Sequence, residues 1–190
     1  MLILLACTTA LPPAADPVPG EVMDGIPSAS LVGGDWHVES DHGRARLSGP
    51  ANIDLGAEVL PEFTFNPDRS AVVFPQGIDS PLADLFLVSL PGGERTRLTD
   101  WPGAEDRPVF SPDGQRLAFF ADKTGLASLY VMDLSTGGIE QVSNVGLEHK
   151  RRMGGPPEGF VHPPFSSLPT WDARGVSYTS VEGPVTVVVP

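Results

Sequence analysis

The chain repeats itself, and that constrains its fold more than any other property. The string FNPDRSAVVF (Phe65–Phe74) returns 45 residues later as FSPDGQRLAF (Phe110–Phe119). DLFLVSLPGGERTRLT (Asp84–Thr99) is matched by SLYVMDLSTGGIEQVS (Ser128–Ser143). LPTWDARGVSY (Leu168–Tyr178) then echoes RPVFSPDGQRLAF, with Trp171 in the place of Phe110 and Gly175 in that of Gly114. This third copy follows the second at 61 residues, so about sixteen extra residues lie between them.

One unit, Asp106–Ser143, is complete enough to read strand by strand. Pro108–Ser111, Leu117–Ala121, Leu129–Asp133 and Ile139–Val142 are short runs of the apolar, aromatic and β-branched types that suit a pleated surface. Between them stand Ser111-Pro112-Asp113-Gly114, Asp122-Lys123-Thr124-Gly125 and Ser135-Thr136-Gly137-Gly138. In the first of these turns proline presets φ at the second position, and Asp and Gly tolerate the rest of the reversal. Four strands joined by tight turns make a meander that cannot hide both faces alone. Repeats of about 40–50 residues with four strands each are the mark of a β-propeller. The expected fold class is therefore all-β, with four-stranded antiparallel blades in a small, incomplete or open propeller.

The pattern P-x-F-S-P-D-G-x-x-[LI]-A-F followed by [LI]-Y-V-M-D-L resembles the β-propeller repeat of the TolB type, a relative of the WD40 repeat. The match is close over Asp106–Ser143, fair over Pro61–Thr99 and partial over Leu168–Val189. What the resemblance implies is a binding scaffold of the bacterial envelope. It supplies no catalytic residue, because the motif positions are turns and core, and a fold does not by itself give a function.

The expected organisation is a leader over 1–7, a tether over 8–30 and a propeller over 31–190. Within the propeller, residues 31–60 read as a half-unit, 61–101 and 105–146 as blades, 147–167 as an insertion and 168–190 as a partial blade. In the half-unit only Trp36–Ser40 and Arg44–Leu47 read as strands, about the turn Asp41-His42-Gly43. Those two strands could complete the last blade, and Val185–Val189 is expected to lie beside Trp36–Leu47 or to pair with another chain. A small ring, an open arc and a piece of a longer protein are all compatible with this count.

The start, MLILLAC, resembles a bacterial lipobox, with Cys7 as the lipidation site. The positive segment of a secretory leader is missing and the apolar core is short. Thr8–Ser30 holds five prolines and no aromatic residue, a composition suited to an extended tether. By resemblance to Gram-negative lipoproteins, Thr8 after the cysteine implies an outer-membrane lipoprotein facing the periplasm or the cell surface. Cys7 is the sole cysteine, so no disulfide joins two parts of the chain. With 24 acidic and 12 basic residues the net charge is −12, which argues against nucleic acid as a partner.

No serine sits in a nucleophile elbow, no H-E-x-x-H or EF-hand spacing occurs, and no glycine-rich phosphate loop opens a helix. The expectation is a non-catalytic protein with no cofactor and no metal, binding an envelope protein or small ligand. The rival is a propeller enzyme, or the propeller fragment of a larger hydrolase. Asp68 and Asp113 are read as turn residues, and Phe65, Phe110 and Trp171 as core. The insertion is what the repeats leave unexplained. Lys150, Arg151 and Arg152 form a basic run in an acidic chain, Phe160 and Phe165 are large apolar residues in a proline-rich loop, and His149 and His162 flank them. Long loops on rigid scaffolds tend to carry binding, so these seven residues are the candidate binding site.

Overall fold

The computed structural model describes residues 29–41, 43–77, 83–121, 123, 127–147, 168–180 and 183–189. They form fifteen strands in four separate antiparallel sheets, each a simple meander. The first sheet is β1 (Ala29–Gly33), β2 (Trp36–Asp41), β3 (Arg44–Ser48) and β4 (Ile53–Gly56). The second is β5 (Thr64–Phe65), β6 (Ala71–Gly77), β7 (Ala83–Ser89) and β8 (Arg95–Arg97). In the third are β9 (Glu105–Phe110), β10 (Arg116–Ala121), β11 (Ala127–Asp133) and β12 (Ile139–Leu147). The fourth has three strands, β13 (Thr170–Asp172), β14 (Gly175–Ser180) and β15 (Gly183–Val187).

What stacks these sheets is the period-2 alternation of their middle strands. In β10, Leu117, Phe119 and Ala121 face the second sheet, while Ala118 and Phe120 face the fourth. In β11, Tyr130 and Met132 go one way and Leu129 and Val131 the other. The second sheet does the same: Val73 and Leu85 meet the third, and Val72, Phe74, Phe86 and Val88 meet the first. Interior sheets thus have apolar residues on both parities, which is why VVF and LAFF read as unbroken apolar runs.

The end sheets are one-sided. In β2 and β3, Trp36, Val38, Ala45 and Leu47 are buried against the second sheet. The intervening His37, Glu39, Arg44 and Arg46 turn outward, with His37 Nδ1 3.5 Å from Glu39 Oε1. In the fourth sheet Val176 and Tyr178 face the third, and Ser177 and Thr186 share a hydroxyl–hydroxyl bond of 2.9 Å on the other face.

Two expectations are corrected here. Residues 31–60 lie in a whole four-stranded sheet, not a half-unit: β1 and β4 were missed because ASLVG follows a proline-rich segment and IDLG is only four residues long. Val185–Val189 does not lie beside Trp36–Leu47. β15 pairs with β14, while β2 and β3 already have β1 and β4 as outer neighbours, so they have no free edge.

Phe65 and Phe110 are buried core residues and Trp171 is half-buried, as their equivalence suggests. Turn chemistry is equally direct. Asp68 Oδ1 accepts from the Ser70 N–H at 2.9 Å, and Asp113 Oδ1 accepts from Ser111 Oγ at 2.6 Å and the Gln115 N–H at 3.0 Å. Gly114 has φ 72°, and its counterpart Gly175 has φ 124° with the Val187 carbonyl oxygen 2.0 Å from where a Cβ would stand.

Three substitutions check this packing by urea denaturation. Phe119→Ala, at a fully buried ring between two sheets, should cost about 3–5 kcal/mol. Gly175→Ala should be much more damaging than Gly137→Ala: Gly137 also has positive φ (72°) but open space around it, so only the first forces backbone apart. Equal midpoints for the two glycine variants would show that β15 does not lie against Gly175.

Candidate functional site

Strand order gives the stack two unlike rims. One carries the short reversals at Gly34-Asp35, 66–70, 90–94, 111–115, 134–138 and Ala173-Arg174. Aspartates are tied into the backbone there: Asp133 Oδ1 accepts from the Ser135 and Thr136 N–H groups at 2.9 Å each, and Asp172 Oδ1 from the Arg174 N–H at 2.8 Å. These hydrogen bonds, with the Ser135 hydroxyl foremost, hold the Asp133 carboxyl down at about 2. An open groove of about 330 Å³ near this rim, between the third and fourth sheets, is floored by Val131, Ile139, Val142 and Val189. Arg116, Asp133 and Glu140 are its charged lining residues, and the Asp133 carboxylate is already committed to the turn.

The opposite rim carries longer connections, including 57–63 and 98–104. Leu147, just before the insertion, pairs with Ala127 at this rim, and Leu168 stands just before β13. The insertion is the stretch of sequence between these two described residues. Its candidate residues His149, Lys150, Arg151, Arg152, Phe160, His162 and Phe165 lie outside the described residues, as does Cys7.

At this rim, where the second and third sheets meet, the described residues form a polar and aromatic cluster. Arg97 Nη2 on β8 donates to Asp84 Oδ2 at 2.8 Å and to Asp100 Oδ1 at 2.7 Å, and its Nε donates to the Thr99 carbonyl at 2.9 Å. Thr99 Oγ1 in turn accepts the Leu85 N–H at 2.9 Å. Asp84 is buried at the head of β7 and Glu105 is fully buried at the head of β9. Burial pushes the Asp84 carboxyl above the usual range, with Arg97 opposing. Trp101, half-buried in the linker, sits edge-on to Tyr130 at 5.0 Å between ring centroids and 5.9 Å from Phe119. Lys123 Nζ lies 4.1 Å from the Trp101 ring centroid, in cation–π contact at the solvent edge. Burial, and then the Glu105 charge, raise the Tyr130 hydroxyl.

Beneath this cluster a buried ion pair joins the inner strands. Glu62 Oε2 accepts the Arg107 N–H at 2.9 Å, and Arg107 Nε is 3.9 Å from Glu62 Oε1. The two residues stand 45 apart, at equivalent places in successive repeats, so the repeat itself builds the pair. Burial raises the Glu62 carboxyl despite the arginine. Sequence reasoning missed Asp84, Arg97, Glu105 and Glu62 as a group. The available signal was an acid inside the apolar strand ADLFLVS, and a charged run opening EDRPVF, at positions where neighbouring sheets leave no solvent face. Among the described residues, no group of three or more His, Cys, Asp and Glu is placed to hold a metal ion.

Antiparallel four-stranded meanders stacked face to face by alternating apolar strands are propeller blades. The protein is all-β, with blades of a small, incomplete propeller and no sheet closed on itself among the described residues. Its repeats are similar to those of TolB and related propellers. No protein-family profile matches the chain. A 61-residue stretch is 30% identical to the Tol-Pal system protein TolB of Francisella tularensis, covering 31% of this chain and 14% of that one. An 80-residue stretch is 26% identical to an uncharacterized protein of Agrobacterium fabrum, covering 42% and 27%. The chain thus spans well under a third of these relatives' lengths. Among solved structures, an oligogalacturonate lyase in complex with manganese superposes with TM-score 0.57 at 19% identity, over 82% of this chain and 46% of that one, a likeness of fold. TolB from Acinetobacter baumannii gives TM-score 0.47 at 25% identity over 53% and 26%.

The Glu62–Arg107 pair generates a double-mutant test. Arg107→Met removes the guanidinium that faces the buried Glu62 carboxyl, while the residue-107 N–H still donates to it, and should cost about 3–5 kcal/mol, whereas Glu62→Leu combined with Arg107→Met should recover most of it. Additive losses in urea denaturation would mean that the two side chains act independently.

Proposed function

We propose that this chain is a binding scaffold of the bacterial envelope, docking a protein or small ligand at one rim and performing no chemistry of its own. The observation that carries this reading is the asymmetry of the rims. Tight turns occupy one, and the connections 57–63 and 98–104 and the Trp101–Lys123 cluster lie at the other, where Leu147 and Leu168, the described residues on either side of the insertion, also stand. An aromatic anchor with charges around it is the kind of surface on which interface energy concentrates. Lys150, Arg151 and Arg152 supply local positive charge in a chain of net charge −12, which favours an acidic partner at that rim alone. Likeness to TolB, a protein named for the Tol-Pal system, supports an envelope setting and a protein partner. A lipid on Cys7 and the tether over 8–30 would hold the propeller at the outer membrane.

Two experiments test this. Replacing Lys150, Arg151 and Arg152 with Ser should cut crosslinking to envelope proteins roughly tenfold, the equivalent of about 1.4 kcal/mol, with no change in urea midpoint. Full crosslinking by the well-folded variant would remove the insertion from the proposed surface. Separately, Cys7→Ser should shift the protein from the membrane fraction to the soluble fraction. If wild type and variant fractionate alike, the anchor is wrong even if the rim is right.

A further inference from the structure

The fourth sheet lacks a strand that its neighbours have. In the other three sheets the fourth place is taken by β4, β8 and β12, whereas among the described residues the order of the last sheet ends at β15. The chemistry of this open edge can be read from the backbone. The Val187 carbonyl lies against Gly175 of β14, so Val185 and Val187 direct their backbone groups inward. Those groups alternate along a strand, so Pro184 and Thr186 direct theirs to the open side. Pro184 fits this register, since a strand proline is tolerated where its nitrogen faces away from the neighbouring strand. The Thr186 N–H and C=O and the Pro184 C=O are thus available to a further strand. Side chains alternate as well: Thr186 shares a hydroxyl bond with Ser177 on the outer face, while Val185, Val187 and Val189 face the third sheet and are only half-buried.

The groove between the third and fourth sheets lies beside this edge, with Val189 on one side and Val131 and Val142 on the other. The third sheet has β12 where the fourth has no strand, so the groove is the space that the inward side chains of a fourth strand would enter. Arg116 stands across from Asp133 in the β10–β11 register and lies 5.2 Å from the Trp171 ring centroid. Glu140 on β12 is exposed, and its carboxylate makes no ion pair among the described residues. We propose that this edge and groove take in an extended basic segment of a partner protein. The segment adds a fourth strand to the last sheet, sets apolar side chains into the groove and places a Lys or Arg against Glu140. Main-chain bonds to an open edge supply affinity in this mode, and pockets for alternate side chains supply specificity. A cationic segment is also what a chain of net charge −12 attracts. Twofold pairing of β15 with β15 of a second copy is disfavoured, because it would bring the two β12 strands into the same space. The groove opens near the rim of tight turns, so the proposal does not rest on the Trp101–Lys123 surface.

The probe is a fluorescent synthetic peptide carrying Val, Lys and Val at alternate positions with Thr between them, titrated with the full chain. Directly opposed residues in an antiparallel pair share a face, so the Thr residues of the bound peptide are the ones that bond to the Thr186 backbone. N-methylation of those Thr residues should therefore abolish binding, whereas N-methylation of the Val residues, whose N–H groups face away from β15, should leave it intact. Replacing the peptide Lys with Glu should weaken binding roughly tenfold, and Glu140→Lys in the protein should reverse that preference. Glu140 is exposed, so the variant should keep the wild-type urea midpoint. Sedimentation velocity of the chain alone tests the alternative occupant. No binding of the parent peptide, equal binding of the two methylated forms, a charge preference indifferent to Glu140→Lys, or self-association that the peptide cannot displace would each overturn the proposal.

Discussion

Everything in this protein depends on sheets that have two apolar faces and therefore cannot stand alone. In β10, Leu117 and Phe119 on one parity and Ala118 and Phe120 on the other are all buried, which no single-sided sheet would permit. Each buried large side chain contributes on the order of 1.5–3 kcal/mol, and most of these contacts lie between sheets. Hydrogen bonding within a meander fixes strand register, but stacking decides that the meander exists. The short connections follow from this, since a chain laid out as stacked blades needs only reversals between strands and one crossing between sheets.

The same stacking creates the polar problem at the seams. Inner strands come close enough that EDRPVF buries Glu105, Asp106 and Arg107 together. An isolated charge there would cost several kcal/mol, so each must find a partner, across the seam or within its own sheet. Glu62 meets Arg107 because both occupy the same repeat position, and Asp84 meets Arg97 across adjacent strands of one sheet. Arg95, on the exposed strand β8, covers the seam from outside: its guanidinium lies 4.1 Å from the Phe86 ring centroid and donates to the Leu55 carbonyl at 3.1 Å. These polar contacts give the seams specificity that apolar burial lacks, since sliding one sheet past another would strand a charge.

The repeat made the second and third sheets legible, because N-P-D and S-P-D turns and alternating apolar runs each carry a local physical cause. The first sheet was only half legible. β2 and β3 alternate cleanly, whereas ASLVG and IDLG are too short and too small in side chain to announce themselves. Their pairing comes from a neighbour offering an edge, a property of the sheet and not of the segment. The rim cluster was harder still. The meeting of Asp84 on β7 with Arg97 on β8, and the burial of Glu105 on β9 beside them, depend on three strands converging. Burial converts an ordinary acidic residue into a special one, and burial is set by residues far away in sequence.

The outward faces of the first and fourth sheets bear on how such a stack comes apart. Each end sheet is held by one apolar seam, whereas the second and third sheets are each held by two. Cohesion in a linear array is a sum of neighbour terms, so loss of an end unit breaks one term and loss of a middle unit breaks two. The protein should therefore shed structure from its ends inward, with amide protection graded along the stack. The seam between the second and third sheets, where the charged rim sits, is the last to open.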